Sequence, residues 1–155
     1  MQYRYFFGRK LEWFYKLIVY KFIPMNKNNT VYVVYDDKCP FCRNYCQLIR
    51  IREASGSLEL IDARKPSAMM EEITVEGLDI DRGMVVKIDR NFYYGSDAIH
   101  ILALLSTKSG IFNRFTYWIF RSKKITSILY PLLRDCRNIA LKLMGIPLIK
   151  NLEKS

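Results

Sequence analysis

The apolar run Val31-Tyr32-Val33-Val34-Tyr35 is followed within four residues by Cys39-Pro40-Phe41-Cys42, a strand pattern that feeds directly into the opening of a helix. β-Branched and aromatic side chains in succession suit a buried strand. Pro40 fits the first helical position, where its missing N–H costs nothing and its fixed φ already suits the helix. Two thiols therefore stand at a strand-to-helix turn. Cys39 falls beside helix-start N–H groups that have no intrahelical partner and that favour thiolate over thiol. Cys42 is close enough to close a disulfide with it.

The segment from Pro40 to Ala54 carries apolar residues at 41, 45, 48 and 49 with Arg43, Arg50 and Arg52 between them, which predicts an amphipathic helix stopped by Ser55-Gly56-Ser57. Leu58-Glu59-Leu60-Ile61-Asp62 alternates as a second strand, so the first three elements form a βαβ unit with parallel strands and a right-handed crossover. Pro66 to Ile73 reads as a short helix. Met84 to Ile88, the turn Asp89-Arg90-Asn91 and Phe92-Tyr93-Tyr94 predict a β-hairpin, and Ser96 is positioned to cap a helix through Ala98, Ile101, Leu102 and Leu105. Beyond Ser109-Gly110, Ile111 to Phe120 and Lys124 to Met144 look helical, with Pro131 at a first turn or kink and Gly145-Ile146-Pro147 as a stop. The expectation is an α/β chain in three parts. Residues 1–30 form a basic, aromatic, helical segment, residues 31–107 a βαβ-ββα core holding the CxxC, and residues 108–150 a basic helical extension.

With 155 residues, half of them hydrophobic, the chain can bury a core as one domain without disulfide staples. Cysteines at 39, 42, 46 and 136 are too few and too unevenly spaced for a secreted disulfide framework. The apolar stretch Leu11 to Pro24 is interrupted by Lys16 and Lys21 and is followed by no small-residue cleavage pattern, so a reducing, cytoplasmic setting is expected. The net charge of +10 is unevenly spread: residues 1–30 carry +5, residues 31–107 carry −3, and residues 108–150 carry +8. In the flanks Trp13, Tyr15, Tyr20, Tyr117 and Trp118 stand among Lys and Arg. These flanks can be helices packed on the core, a peripheral anchor on an anionic membrane surface, or a patch for acidic partners. Plain packing ranks first. Nucleic acid ranks below membrane contact because no recognised binding motif accompanies the charge, and the uncharged runs are too short to span a bilayer.

A βαβ unit whose helix opens on CxxC, followed by ββα, resembles the thioredoxin fold. Within it, Tyr35-Asp36-Asp37-Lys38-Cys39-Pro40-Phe41-Cys42 resembles the DCC family of thiol-disulfide oxidoreductases, through an Asp-x-x-Cys-x-x-Cys pattern matched by Asp36, Cys39 and Cys42. Tyr94-Gly95-Ser96-Asp97-Ala98 is similar to the Gly-Ser-Asp-Ala segment after that family's hairpin, and Tyr130 to Ile146 is similar to its C-terminal helix. The resemblance spans residues 31–147. It departs at Asp37, where the family usually has glycine, and at Arg82-Gly83-Met84, where thioredoxins place a cis-proline facing the CxxC. It implies disulfide exchange with a thiol or disulfide protein or a small thiol.

In that reading the Cys39 thiolate attacks a partner disulfide and Cys42 resolves the mixed disulfide. Asp36 is either a turn residue or a carboxylate that accepts the resolving thiol's proton. Cys46, one helical turn beyond Cys42, reads first as a core residue. With Cys136 or His100 it could instead complete a zinc site in a non-enzymatic binding or docking module. A second CxxC is missing, so no metal and no organic cofactor is assigned. Ser96 and Asp97 are expected to cap a helix, and His100 to be structural or exposed.

Overall fold

The computed structural model describes residues 30–51, 56–107 and 110–153; the expectations for residues 1–29, with Trp13, Tyr15 and Tyr20, lie outside them. Strand β1 (Thr30–Tyr35) leads into helix α1 (Pro40–Leu48), strand β2 (Ser57–Asp62) and helix α2 (Ala68–Val75). The hairpin β3 (Val85–Ile88) and β4 (Asn91–Tyr94) precedes α3 (Ser96–Leu105), α4 (Ile111–Phe120) and α5 (Lys123–Leu143). The sheet order is β2-β1-β3-β4, with β1 parallel to β2 and antiparallel to β3, and β3 antiparallel to β4. Four strands and five helices among the described residues make a thioredoxin-like fold.

Alternation along β1 distributes the core. Val31, Val33 and Tyr35 pack with Cys46 and Ile49, and with Ile101, Leu102 and Leu105 of α3, on one face. Val34 faces the other side, with Met70 and Ile73 of α2, Ile80, Val85 and Ile149. Ile149 belongs to a non-helical C-terminal tail, past the Gly145-Ile146-Pro147 stop but within the span 108–150 expected to form the helical extension. The Asp81 carboxylate accepts from the backbone N–H groups of Ile149 (2.9 Å) and Lys150 (2.7 Å), and the Asn151 side chain bonds Ile80 N, Leu78 O and Thr74 Oγ1. Gly145, at φ 65°, ends α5 in a Schellman turn, with Ile146 N–H bonded to Leu141 O and Gly145 N–H to Lys142 O.

Two local expectations are corrected. The helix predicted from Pro40 to Ala54 ends at Leu48, because Ile49 turns extended to bury itself in the core and Ile51 pairs with Ser106 in an isolated bridge. Around it, Arg50 N–H reaches Asn113 Oδ1 and Thr107 N–H reaches Arg50 O. Long-range pairing outweighs helical periodicity here. Ser96 is not the cap of α3: Gly95 occupies that position at φ 57° with no side-chain bond, and Ser96 begins the helix. Glycine is required there because Gly95 lies against the ring of Tyr130, where a Cβ would sit 3.2 Å from three ring and hydroxyl atoms.

Candidate functional site

Strand β1 ends where Cys39 N–H bonds Asp36 O, and this turn sets Cys39 as the N-cap of α1. The Cys39 sulfur accepts the backbone N–H of Cys42 at 3.4 Å, as the helix-start reading anticipated. Cys39 is fully buried, whereas Cys42 is partly exposed. The Cys39 thiol is pushed down from its ordinary value, first by a hydrogen bond from the Cys42 thiol, which outweighs burial, and then by the Cys42 N–H and the charge of Arg137. Cys42 is pushed up by that same bond, by burial and by the Cys39 charge. The pair thus favours negative charge on Cys39 and the shared proton on Cys42.

Asp36 stands at the end of β1 with 2% of its surface exposed. It is bound in bidentate fashion by Arg64, at 2.6 Å from Nε and 2.9 Å from Nη2, and it accepts Lys38 N–H at 3.0 Å. Arg137 Nη2 approaches its second oxygen at 3.3 Å. Burial works to raise the Asp36 carboxyl, but the Arg64 hydrogen bond and charge, the Lys38 N–H and Arg137 together hold it below the usual range. Asp37, by contrast, accepts the Tyr35 hydroxyl at 3.1 Å.

Arg137 projects from the buried face of α5, donates through Nη1 to Asp81 O, and is influenced by Cys42, Cys39 and Asp36 together. Burial alone would weaken its charge, but these partners keep it a cation. One turn-pair earlier on the same helix, Tyr130 donates to Arg82 O at 3.0 Å. Its hydroxyl lies against Gly83, where a Cβ would collide with it and come within 3.0 Å of the Gly95 Cα. Helix α5 thus closes over the position where thioredoxins carry their cis-proline. The C-terminal extension and the core both supply the site.

Arg64 and Arg137 are the residues that the sequence reading missed. Arg137 had a readable signal: Thr126, Tyr130, Arg137 and Leu141 fall on one helical stripe, so an arginine sits where an apolar residue is expected. Arg64 had none, since it follows β2 in a turn.

Cys46 is buried in the core and its thiol is raised to about 12, mainly by burial and then by the charges of Cys39 and Asp37. His100 Nδ1 bonds Phe120 O at 2.7 Å, which ties α3 to the end of α4. Asp97, in the first turn of α3, pairs with Lys123 at 3.1 Å. Cys136 is exposed. Among the described residues, no group of three or more His, Cys, Asp and Glu side chains is arranged to hold a metal ion.

Beside Cys42 opens a cavity of about 570 Å³ between α1, α4 and α5. Its walls are mainly apolar and include Phe41, Leu48, Phe112, Ile119, Leu129 and Leu133. Tyr45 of α1 meets Phe112 of α4 edge-on, with ring centres 5.9 Å apart. Cys42 thus borders a mainly apolar chamber whose wall also carries Asp36 and Arg137, and Cys39 lies behind it, within reach of the Arg137 charge.

A family model described as DCC1-like thiol-disulfide oxidoreductase matches residues 33–142. No curated protein and no solved structure matches the chain.

Proposed function

The chain belongs to the DCC1-like thiol-disulfide oxidoreductase family, and from that membership we propose that Cys39 and Cys42 are its working dithiol, exchanging a disulfide with a protein or small thiol partner. The observation that carries this reading is the Arg137 guanidinium held between Asp36 and the two sulfurs, which stabilises negative charge on Cys39. The Cys39 thiolate attacks one sulfur of the partner disulfide and the other leaves as thiolate. Cys42 then gives up its proton and attacks the Cys39 sulfur, which frees the partner and leaves the Cys39–Cys42 disulfide. Cys39 is fully buried, so the side chains over it must give way before the first attack. Asp36 anchors Arg137 and Arg64 in this scheme, and its lowered pKa makes it a weak proton acceptor.

The test is intermediate trapping. With a disulfide-bearing partner, Cys42→Ser is expected to accumulate a mixed disulfide at residue 39, read by mass, and Cys39→Ser to accumulate none. Trapping through Cys42 in the Cys39→Ser protein, with no adduct in the other variant, reverses the roles.

A second reading concerns where the exchange takes place. Helices α4 and α5 expose Ile111, Phe115, Trp118, Ile128 and Leu132 beside Arg114, Arg121 and Lys124, an arrangement suited to the headgroup region of an anionic membrane on the cytoplasmic side. Among the described residues no helix is long and apolar enough to cross a membrane, so this contact is peripheral. Replacing Trp118 and Ile128 with glutamate is expected to abolish flotation with anionic liposomes. Flotation equal to that of the parent chain counts against the contact.

A further inference from the structure

Turnover of a dithiol needs an electron partner, and the cavity beside Cys42 has the features of a site for one. Its volume of about 570 Å³ lies within the range of small-molecule pockets, which bury a mostly apolar ligand and orient it with a few polar groups. Two of its lining residues, Tyr45 and Arg137, each carry a buried polar atom with no hydrogen-bond partner among the described residues: Tyr45 Oη and Arg137 Nε. Both can donate. Buried donors left unpaired cost about 1–3 kcal/mol each; both atoms lie just behind the cavity wall, and a small shift of either side chain towards acceptor oxygens on a bound molecule would relieve that cost. The remaining walls offer flat aromatic and aliphatic surface, including Phe112 and Phe115 of α4 and Leu129 and Leu133 of α5. Cys42 lies on the cavity wall.

A ligand matching these features is planar and apolar, carries acceptor oxygens, and takes up two electrons. We infer that the cavity beside Cys42 binds a quinone that oxidises the Cys39–Cys42 dithiol. This rests on the thiol-disulfide reading above and names the oxidant that reading lacks. The reaction balances as follows: the two sulfurs give up two electrons and form the S–S bond, and the quinone is reduced to the hydroquinone. Its two oxygens take the proton of Cys42 and, because Cys39 already stands as thiolate, one proton from water. Disulfide exchange with a substrate protein then passes the oxidising equivalent on.

The probe is tetramethyl-para-benzoquinone, whose ring has no open position for simple thiol addition. Reduced full-length protein is expected to consume it with saturation kinetics, followed by the loss of quinone absorbance, and to lose two alkylatable thiols per chain. In a Cys39→Ser/Cys42→Ser protein the same quinone is expected to bind without reacting, seen as a raised Tm. Leu133→Trp, which fills the cavity from a partly exposed position on α5, is expected to lower quinone oxidation about tenfold or more while exchange with oxidised glutathione changes less than about twofold. Tyr45→Phe, a smaller change, is expected to raise the half-saturating quinone concentration. Wild-type protein that exchanges with glutathione but ignores the quinone overturns the inference and leaves the dithiol reading intact. Protein that does neither removes both. Cavity variants that slow exchange with disulfide-bonded peptides and leave quinone oxidation unchanged also overturn it, since the chamber is then a peptide groove.

Discussion

Replacing Arg137 with glutamine is expected to move the pKa for Cys39 alkylation up towards the free-cysteine value of about 8.5 and to slow disulfide exchange at neutral pH. The Cys42 hydrogen bond and the Cys42 N–H remain in the variant, so the shift is partial. Each unit of increase costs about tenfold in thiolate fraction once the pKa lies above the working pH, but a more basic thiolate is also more nucleophilic, with a Brønsted slope of about 0.4–0.5. The net loss in rate is therefore about threefold per unit. The equilibrium moves further than the rate, because the lost charge stabilises only the reduced form. The disulfide of the variant should be harder to reduce, by about 30 mV for each tenfold loss.

The lowered Cys39 pKa, held down first by the Cys42 thiol bond and further by Arg137, gives reduced and oxidised protein different pH dependences. Cys39 has a lowered pKa when folded, so its contribution to stability is fully present above the unfolded value of about 8.5 and is lost as pH falls through the folded value. The disulfide has no such group. Across the acid and neutral range the Tm of the reduced form should therefore rise relative to that of the disulfide form as pH rises, and Arg137→Gln should flatten that relative rise. A parallel pair of curves in the wild-type protein would remove Arg137 from the mechanism, whatever its effect on fold.

What the sequence made legible was local. A strand run, a proline at the first helical position and two cysteines in register mark the turn at residues 36–42, and each signal lies within ten residues of the others. The βαβ unit, the hairpin and helices α4 and α5 were readable for the same reason, and residues 111–120 form a helix over the predicted span. What escaped was long-range. The Asp36–Arg137 pair joins residues 101 apart, and nothing near Asp36 announces which of 25 basic residues will reach it. The tail at 146–153 has no periodicity, since it is held by Asp81 and Asn151 through backbone groups. Charge arithmetic also set the basic C-terminal segment apart from the slightly acidic core. Arg137 shows why net charge misleads: one cation of that segment is buried and serves the thiols, while Arg114 and Lys124 remain on the surface.

Asp36→Asn is expected to cost the largest share of stability of any single change in the site, about 3–5 kcal/mol, or on the order of 10 °C in Tm for a domain of this size. The amide keeps the shape and can still accept one bond, but it leaves Arg64 and the almost fully buried Arg137 without the carboxylate that both engage. Because the Asp36 pKa is lowered in the fold, its contribution is complete above the ordinary aspartate value of about 3.9 and disappears as pH falls through the lower folded value. Urea melts of disulfide-bonded wild type and variant, in which Cys39 does not titrate, should therefore differ by a constant amount from neutral pH down to about pH 5 and converge in stronger acid. The thiols distinguish the two roles open to Asp36. As the anchor of Arg137, it competes with the sulfurs for one guanidinium, so its removal lowers the Cys39 pKa further and leaves the lifetime of the mixed disulfide unchanged. As the acceptor of the Cys42 proton, its removal would lengthen that lifetime many-fold at unchanged pKa. Stopped-flow resolution of a preformed Cys39 mixed disulfide separates the two, and the bidentate grip of Arg64 on both carboxylate oxygens favours the first outcome.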